Sequence, residues 1–414
     1  MREPTKTLVP KLRFLEFKDA REWEEKRLED VCTKISQGGT PDTTNLDYWN
    51  GDVEWLTPAE MGKLETRFIT TTNRKISRAG LKNCSSDLLP IDSVILSTRA
   101  PIGHLLINKS EMAINQGCKG LMSLPSTDHN YLYYILASNK NALADLGAGN
   151  TFKELSGSAL KNFKIKIPKH PEQQKIADCL SSIDALITAQ TQKIAALKNH
   201  KKGLMQQLFP AEGETVPKLR FPEFQHSGEW ERKPLGEVAT FYNGRAYKQE
   251  ELLDQGKYRV LRVGNFFTNK NWYYSDLELD EDKYCDNGNL LYAWSASFGP
   301  RIWKGEKVIY HYHIWKVVEK PAIHKDFLFT ILNFETEKLK SQSANGLGLM
   351  HITKGAIESW EFSLPKPDEQ QKIADCLSSI DELIATQTQK LEALKTQKNG
   401  LMQQLFPNAD EVNE

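Results

Sequence analysis

The nine residues IADCLSSID occupy positions 176–184 and return letter for letter at 373–381, an offset of 197. Extended at the same offset, residues 172–210 and 369–407 agree at 31 of 39 positions, so an internal duplication is the first constraint on any fold. A second duplicated string precedes each half. VPKLRF stands at 9–14 and at 216–221, each time followed by E-F and then by E-W-E (Glu22, Trp23, Glu24; Glu229, Trp230, Glu231). The chain reads as variable block, repeat, variable block, repeat.

The repeat has helical spacing. Ile176, Leu180, Ile183, Ile187, Ile194, Leu197, Leu204 and Leu208 follow steps of three, four and seven, as do Ile373, Leu377, Ile380, Ile384, Leu391, Leu394, Leu401 and Leu405. Pro168 and Pro365 lie just before each copy and Pro210 and Pro407 close it, as for segments that proline flanks but does not enter. About 38 residues at 1.5 Å each give a rod of roughly 57 Å. Gly203 and Gly400 are expected to weaken the last turns by about 1 kcal/mol each relative to alanine. Each apolar stripe needs a partner, and the sister copy is the nearest, so the two helices are expected to form an intramolecular antiparallel coiled coil. A pseudo-two-fold axis would then put one variable block at each end. The polar interruptions Gln190, Lys201, Gln387 and Lys398 either set the register or face solvent.

The fold class expected is α+β: two globular blocks of mostly antiparallel strands, separated by the two helices. The boundaries are an N-terminal segment 1–19, a block 20–168, a spacer helix within 169–210, a linker 211–227, a block 228–365, a spacer helix within 366–408 and a tail 409–414. Short β-type runs punctuated by Gly, Pro, Asn and Asp fill both blocks, among them SVILSTRAPIG, KIKIP, YRVLRVGNF, NLLYAWSASFG and KVIYHYHIWKVV. Residues 128–141 and 324–340 read as a helix late in each block.

Composition narrows the alternatives. In 414 residues, 54 basic and 54 acidic side chains cancel, so affinity for a polyanion must come from local patches or from a basic partner. Six scattered cysteines (Cys32, Cys84, Cys118, Cys179, Cys285, Cys376) form no C-x-x-C pair, which argues for reduced thiols rather than a disulfide framework or zinc site. No secretory signal and no run of about eighteen apolar residues is present, so a soluble cytoplasmic protein is expected.

Local charge offers two candidate surfaces for DNA. Lys63, Arg67, Arg74, Lys75, Arg78 and Lys82 cluster against one acid, Glu65; Lys257, Arg259, Arg262 and Lys270 have no acid among them and stand beside Phe266, Phe267, Trp272, Tyr273 and Tyr274. Basic residues mixed with aromatics suit phosphate contact and packing on sugars or bases. Each cluster also has a plainer reading as a solvated face. Arg and Asn or Gln can hydrogen-bond base edges in pairs, which singles out Ser97, Thr98 and Arg99, Asn115 and Gln116, and Thr151 and Lys153 in the first block. Arg245, Lys248, Trp294, Ser295, His311 and His313 are the further candidates in the second. His311 and His313 share one face if YHYHIW is a strand; no third ligand stands at suitable spacing, so no metal is assigned.

No nucleotide-phosphate loop, dinucleotide fingerprint, amino-methyltransferase run or nucleophile elbow occurs, so no catalytic residue is assigned. Against this background the chain resembles the specificity subunits of Type I restriction-modification systems. The resemblance spans nearly the whole chain and rests on the doubled EQQKIADCLSSID with its tail GLMQQLFP. It also rests on GGTP, YWNG and WLTP at 38–58 (Gly38, Thr40, Pro41, Tyr48, Trp49, Trp55, Thr57, Pro58), on STRAPIG and NQG, and on LLYAWSASFGP and IYHYHIW. It implies two target recognition domains, each reading half of a split, asymmetric double-stranded DNA sequence. It further implies two methyltransferase subunits, which use S-adenosylmethionine, and ATP- and Mg-dependent restriction subunits as partners; no cofactor is expected in this chain. The alternative from another class is a non-enzymatic protein-interaction adaptor built on the helix pair.

Overall fold

The computed structural model describes residues 9–99, 101–147, 154–267, 270–295, 298–343 and 352–407. The chain divides into two compact units, one of Met1–Gln192 with Thr388–Glu414, the other of Lys193–Gln387. The dividing line runs through two uninterrupted helices, His170–Leu208 and Pro367–Leu405. Both pass Gly203 and Gly400 without a break, and a side chain at either position would meet nothing within 4 Å. Proline does enter these helices, but only in the first turn. Pro171 and Pro367 sit where the missing N–H has no intrahelical acceptor to lose.

In the first unit the strands are β1 (Glu24–Arg27), β2 (Cys32–Gln37), β3 (Trp49–Leu56), β4 (Phe68–Ile69), β5 (Lys75–Ile76), β6 (Val94–Ser97), β7 (Leu105–Asn108), β8 (Met112–Ile114), β9 (Cys118–Ser123) and β10 (Lys164–Ile167). They form a sheet β2-β9-β6-β7-β4, a sheet β5-β3-β8 and the ribbon β1-β10. In the second unit they are β11 (Glu231–Pro234), β12 (Ala239–Asn243), β13 (Tyr258–Leu261), β14 (Tyr273–Ser275), β15 (Tyr284–Cys285), β16 (Leu290–Ala293), β17 (Gly299–Ile302), β18 (Val308–Tyr310), β19 (Ile314–Glu319) and β20 (Glu361–Leu364). Their sheets are β12-β19-β16-β17, β14-β13-β18-β15 and β11-β20. The units correspond pair for pair. β3 runs parallel to β8 with Leu56 opposite Ile114, and β13 runs parallel to β18 with Leu261 opposite Tyr310. Even β15 has its counterpart, a single bridge between Leu89 and Met112. β4 is an addition of the first unit.

The helix late in each block is His129–Ser138 in the first and Lys325–Ser343 in the second. Each packs between its sheet and a long helix. In the first unit Tyr131, Leu132 and Ile135 share a core with Ile176, Ala177, Leu180, Leu405 and Phe406. In the second, Phe327, Leu328 and Ile331 share one with Leu208, Phe209, Ile373, Ala374 and Leu377. Burying each of these aliphatic or aromatic side chains contributes about 1.5–3 kcal/mol, so the stripe of each helix holds its block to the helix pair. Ile183 is buried, whereas Ile187, Ile380 and Ile384 are half-buried.

Within each unit the two helix segments run antiparallel, and the polar positions set the register. Asp184 Oδ1 meets Lys398 Nζ at 2.6 Å in the first unit, and Asp381 meets Lys201 Nζ at 2.6 Å in the second. Since 184 + 197 = 381 and 201 + 197 = 398, one Asp–Lys pair is written twice. Two of the interruptions therefore face the sister helix rather than solvent.

The start of the repeat is anchored the same way twice. Arg13 lies in a two-point ion pair with Glu172 (Nε–Oε1 2.8 Å, NH2–Oε2 2.7 Å), and Arg220 with Glu369 (2.7 Å each). Gln173 Oε1 accepts from Asp128 N–H and its amide donates to the Pro168 carbonyl; Gln370 does the same with His324 and Pro365. Leu12 N–H donates to the Gln404 carbonyl (3.0 Å), and Leu219 N–H to the Gln207 carbonyl (2.9 Å). The VPKLRF strings thus clip onto the ends of the long helices.

Candidate nucleic-acid interface

The candidate surface of the first unit grows from one turn. β8 ends at Ile114 and β9 begins at Cys118; Asn115, Gln116 and Gly117 lie between, closed by Cys118 N–H donating to the Asn115 carbonyl at 2.8 Å. Four more backbone bonds pin it: Gly38 N–H to Cys118 O (3.3 Å), Gly39 N–H to Ile114 O (2.9 Å), Asn115 N–H to Leu56 O (2.8 Å) and Thr98 N–H to Gly117 O (2.8 Å). A Cβ on Gly38 would lie 1.9 Å from the Asn115 carbonyl oxygen, so only glycine allows this approach.

The second unit repeats the frame with other side chains. β18 ends at Tyr310 and β19 begins at Ile314; His311, Tyr312 and His313 lie between, closed by Ile314 N–H to His311 O at 2.9 Å. Gly244 N–H donates to Ile314 O (3.1 Å), Arg245 N–H to Tyr310 O (3.0 Å), His311 N–H to Leu261 O (2.9 Å) and Trp294 N–H to His313 O (3.1 Å). A Cβ on Gly244 would lie 2.3 Å from the His311 carbonyl oxygen. The YHYHIW stretch is therefore two strands of different sheets joined by a turn, and His311 and His313 do not share a strand face. Among the described residues no group of three metal-ligating side chains exists.

Around the first turn the side chains are amides and hydroxyls. Asn115 Nδ2 donates to Thr40 Oγ1 (2.8 Å) and Gln116 Oε1 (2.9 Å), its Oδ1 accepts from Gly117 N–H (2.9 Å), and the Thr40 hydroxyl donates to Gln116 Oε1. Trp55 Nε1 holds the Gly39 carbonyl at 3.0 Å, and the exposed Arg74 guanidinium lies over Trp49 and Trp55 at 4.1 and 5.0 Å. Arg99 pairs with Glu154 at 3.1 Å. Burial lowers the Lys119 ammonium pKa, with Glu154 opposing and Arg99 adding to the shift.

Around the second turn they are aromatic. Trp294 stacks on Trp315 (5.7 Å, 21°) and its Nε1 donates to the Tyr312 carbonyl at 2.8 Å. His311 stacks on Tyr247 at 6.3 Å, and Arg262 lies over Tyr273 at 4.3 Å with its Nε buried and unpaired among the described residues. Burial, then His313 and Arg262, push the His311 imidazole down to about 4, so it is neutral at pH 7.

Several expected contact residues are not on this surface. Ser97 is fully buried, its hydroxyl donating to the Pro101 carbonyl (2.9 Å) and accepting from His104 N–H (2.8 Å). Thr98 is fully buried and Ser295 nearly so, which leaves neither a face for DNA. The basic clusters are also less basic in space than in sequence. Lys75 pairs with Glu54 (2.6 Å), Arg78 with Asp52 (3.3 Å), Lys257 with Glu278 and Arg259 with Glu306 (3.1 Å), all acids from other strands or loops. Burial pushes the Glu54 carboxyl up, but Lys75 and Thr72 more than offset it and hold it below the usual range. Arg67 turns inward, bonded to Tyr134 and to Ser181 Oγ at 2.8 Å. Arg245 is held by Glu251 at 2.7 and 2.9 Å, and that carboxyl falls to about 2; Lys248 is exposed beside Glu250. Thr151 and Lys153 lie outside the described residues.

The exposed Tyr312 and the half-buried Thr40, the latter named only for the family resemblance, were not among the expected contacts, because neither is a basic or amide side chain in a basic run. A cleft of about 1470 Å³ in the second unit was missed as well, with Lys198, Lys202, Arg301, Lys304 and Lys338 on its walls. Those residues come from three segments far apart in sequence. What sequence could offer was the glycine after β2 and after β12, in SQGGT and YNGRAY.

The profile of the Type I restriction modification DNA specificity domain matches residues 20–199 and again residues 227–396. The chain is 26% identical over 407 residues to the Type I restriction enzyme MjaIX specificity subunit of Methanocaldococcus jannaschii, covering 93% of each. It is 26% identical over 187 residues to the EcoR124I/EcoR124II specificity subunit of Escherichia coli, covering 43% of this chain and 45% of the other. Among solved structures, a Type I restriction-modification S subunit from M. genitalium aligns with a TM-score of 0.59 at 15% identity, over 97% of this chain and 99% of that one. A chain from work on complex assembly of the type I R-M system aligns at 0.55 and 15% identity, over 93% and 98%. At these identities the two structures speak for the fold.

Proposed function

The chain belongs to the family of Type I restriction modification DNA specificity domains, as a specificity subunit with two copies of that domain, and from this premise we propose that each copy reads one half of a bipartite, asymmetric DNA target. One observation carries the reading. Around the two turns the units share five backbone hydrogen bonds while presenting amides and hydroxyls in one and imidazoles, phenols and indoles in the other. Identical frames with different side chains suit two different half-sites, since phosphate contacts position a protein and base-edge contacts specify it. Arg74, Arg262 and the cleft, whose lysines stand beside the acids Glu337, Asp381 and Glu382, are the candidate phosphate contacts.

The partners proposed are double-stranded DNA, two methyltransferase subunits and restriction subunits. Methyl transfer, ATP hydrolysis and DNA cleavage would belong to those subunits, with S-adenosylmethionine, ATP and Mg bound there. Two-fold docking is supported by Leu186 and Leu383, which occupy the same place in the two repeats (186 + 197 = 383) and are 56% and 41% exposed. Leucines left in water at matched sites suit a pair of like partners. The test is selection of random duplexes by the chain bound to its methyltransferase subunits. A split motif with a fixed gap is expected; a complex that selects nothing supports the adaptor reading and overturns this one.

A further inference from the structure

We infer that the turns Asn115-Gln116-Gly117 and His311-Tyr312-His313 are equivalent base-reading elements, with Gln116 and Tyr312 the specificity-determining side chains of their respective half-sites. The inference rests on the DNA-reading function proposed above and names where in each unit it resides.

Three observations meet at these turns. The turns are held by five equivalent backbone hydrogen bonds in each unit, so the frame is indifferent to the side chains it carries. At the middle position of each turn the side chain is exposed, whereas both flanking positions are half-buried or buried. The side chains around the middle position fix its direction. In the first unit the Gln116 Oε1 accepts from both the Thr40 hydroxyl and Asn115 Nδ2, which occupies its two lone pairs. The amide nitrogen is left as a donor. A glutamine that had both groups free would suit the paired contact to adenine; this one is set to offer N–H alone, to an acceptor such as a purine N7, guanine O6 or thymine O4. In the second unit Trp294 caps the Tyr312 carbonyl while His311 and His313 pack against its ring at 4.5 and 3.9 Å. That arrangement braces the ring on both sides while Tyr312 stays exposed.

The experiment uses the full chain in complex with its methyltransferase subunits and sequences the duplexes retained from a random library. The variants are Gln116→Ala, Gln116→Glu and Tyr312→Ala, each checked for native circular dichroism. Gln116→Ala is expected to lose roughly 2- to 12-fold discrimination, the worth of one hydrogen bond, at one or two base pairs of one half-site, leaving the other intact. Tyr312→Ala is expected to do the same in the other half-site only. Gln116→Glu replaces a donor with an acceptor and is expected to turn the preference at that position toward a base offering a donor, such as cytosine N4. Both half-sites unchanged in all three variants, with binding retained, would overturn the inference while leaving the function standing. A variant that no longer binds is judged by Gln116→Asn or Tyr312→Phe, and unaltered motifs there overturn it equally. A wild-type complex that selects no motif overturns the function and the inference with it.

Discussion

Removing Arg13 is expected to destabilise the first unit by more than any surface substitution in it. The guanidinium and the Glu172 carboxylate meet at 2.7 and 2.8 Å with side-chain exposures of 7% and 3%, and the Trp23 indole adds a third contact to Glu172 at 3.2 Å. At an effective dielectric of 20, two unit charges that close attract by about 6 kcal/mol, most of which is offset by the cost of taking both out of water. The net worth of the intact pair is therefore small. Breaking it by removing one member is different, because Glu172 is then buried with its charge uncompensated, at a cost of about 3–5 kcal/mol. For a unit of this size that corresponds to a fall in Tm of roughly 6–20 °C. The assay is urea and thermal denaturation of Arg13→Met, Glu172→Met and the double variant, followed by tryptophan emission and far-ultraviolet dichroism. The double variant is expected to lie within about 1–2 kcal/mol of the wild type, giving a large coupling energy. The equivalent cycle on Arg220 and Glu369 repeats the test in the second unit, where the buried Trp230 indole N–H makes no hydrogen bond among the described residues. Single variants that each cost under about 1 kcal/mol, or a double variant costing their sum, would refute the reasoning.

Gly38→Ala and Gly244→Ala drive a methyl into a backbone carbonyl and are each expected to cost about 1–3 kcal/mol or more, read by urea denaturation, and to weaken binding in one half-site. Arg74→Ala, which loses an exposed cation stacked on Trp49, is expected to weaken binding to all sequences and lower the slope of log K against log salt by about 1; filter binding over a salt series checks this. Leu186→Lys and Leu383→Lys are each expected to leave one methyltransferase subunit bound and the double variant none, measured by light scattering of the assembled complex. The His311 pKa is lower folded than unfolded, so its neutral form contributes stability that is present above about pH 6.5 and is lost as the pH falls toward 4. The stability difference between wild type and His311→Gln should shrink over that window, and a difference independent of pH would contradict the burial of His311 against His313 and Arg262.

The long helices were legible in the sequence because their signal is local and doubled: apolar residues at helical steps, written twice. The meaning of Lys201 and Lys398 was not legible, since each finds its aspartate 180 and 214 residues away (381 − 201; 398 − 184). The same distance defeats the reading of charge. Asp52 and Glu54 are invisible to a count taken from Lys63 to Lys82, yet β3 carries Glu54 beside β5 and its Lys75. Ser97 and Thr98 looked like contact residues because their types suit base edges, but type says nothing of depth, and both are buried, Ser97 at the end of central strand β6 and Thr98 just beyond it. The equivalence of NQG with HYH shares no residue and could be found only from hydrogen bonds made by the backbone.

The doubled Asp–Lys pair also bears on how such a gene tolerates change. Aspartate and lysine of one copy are each answered by the other copy, so neither copy is complete alone. A substitution in one leaves a lone charge in the other, and copying the intact gene segment over the altered one restores the match. A gene cut to one block and one copy would make a chain with both halves of the contact and no sister helix to use them on. Two such chains side by side would close both pairs, and the target they read would be a palindrome.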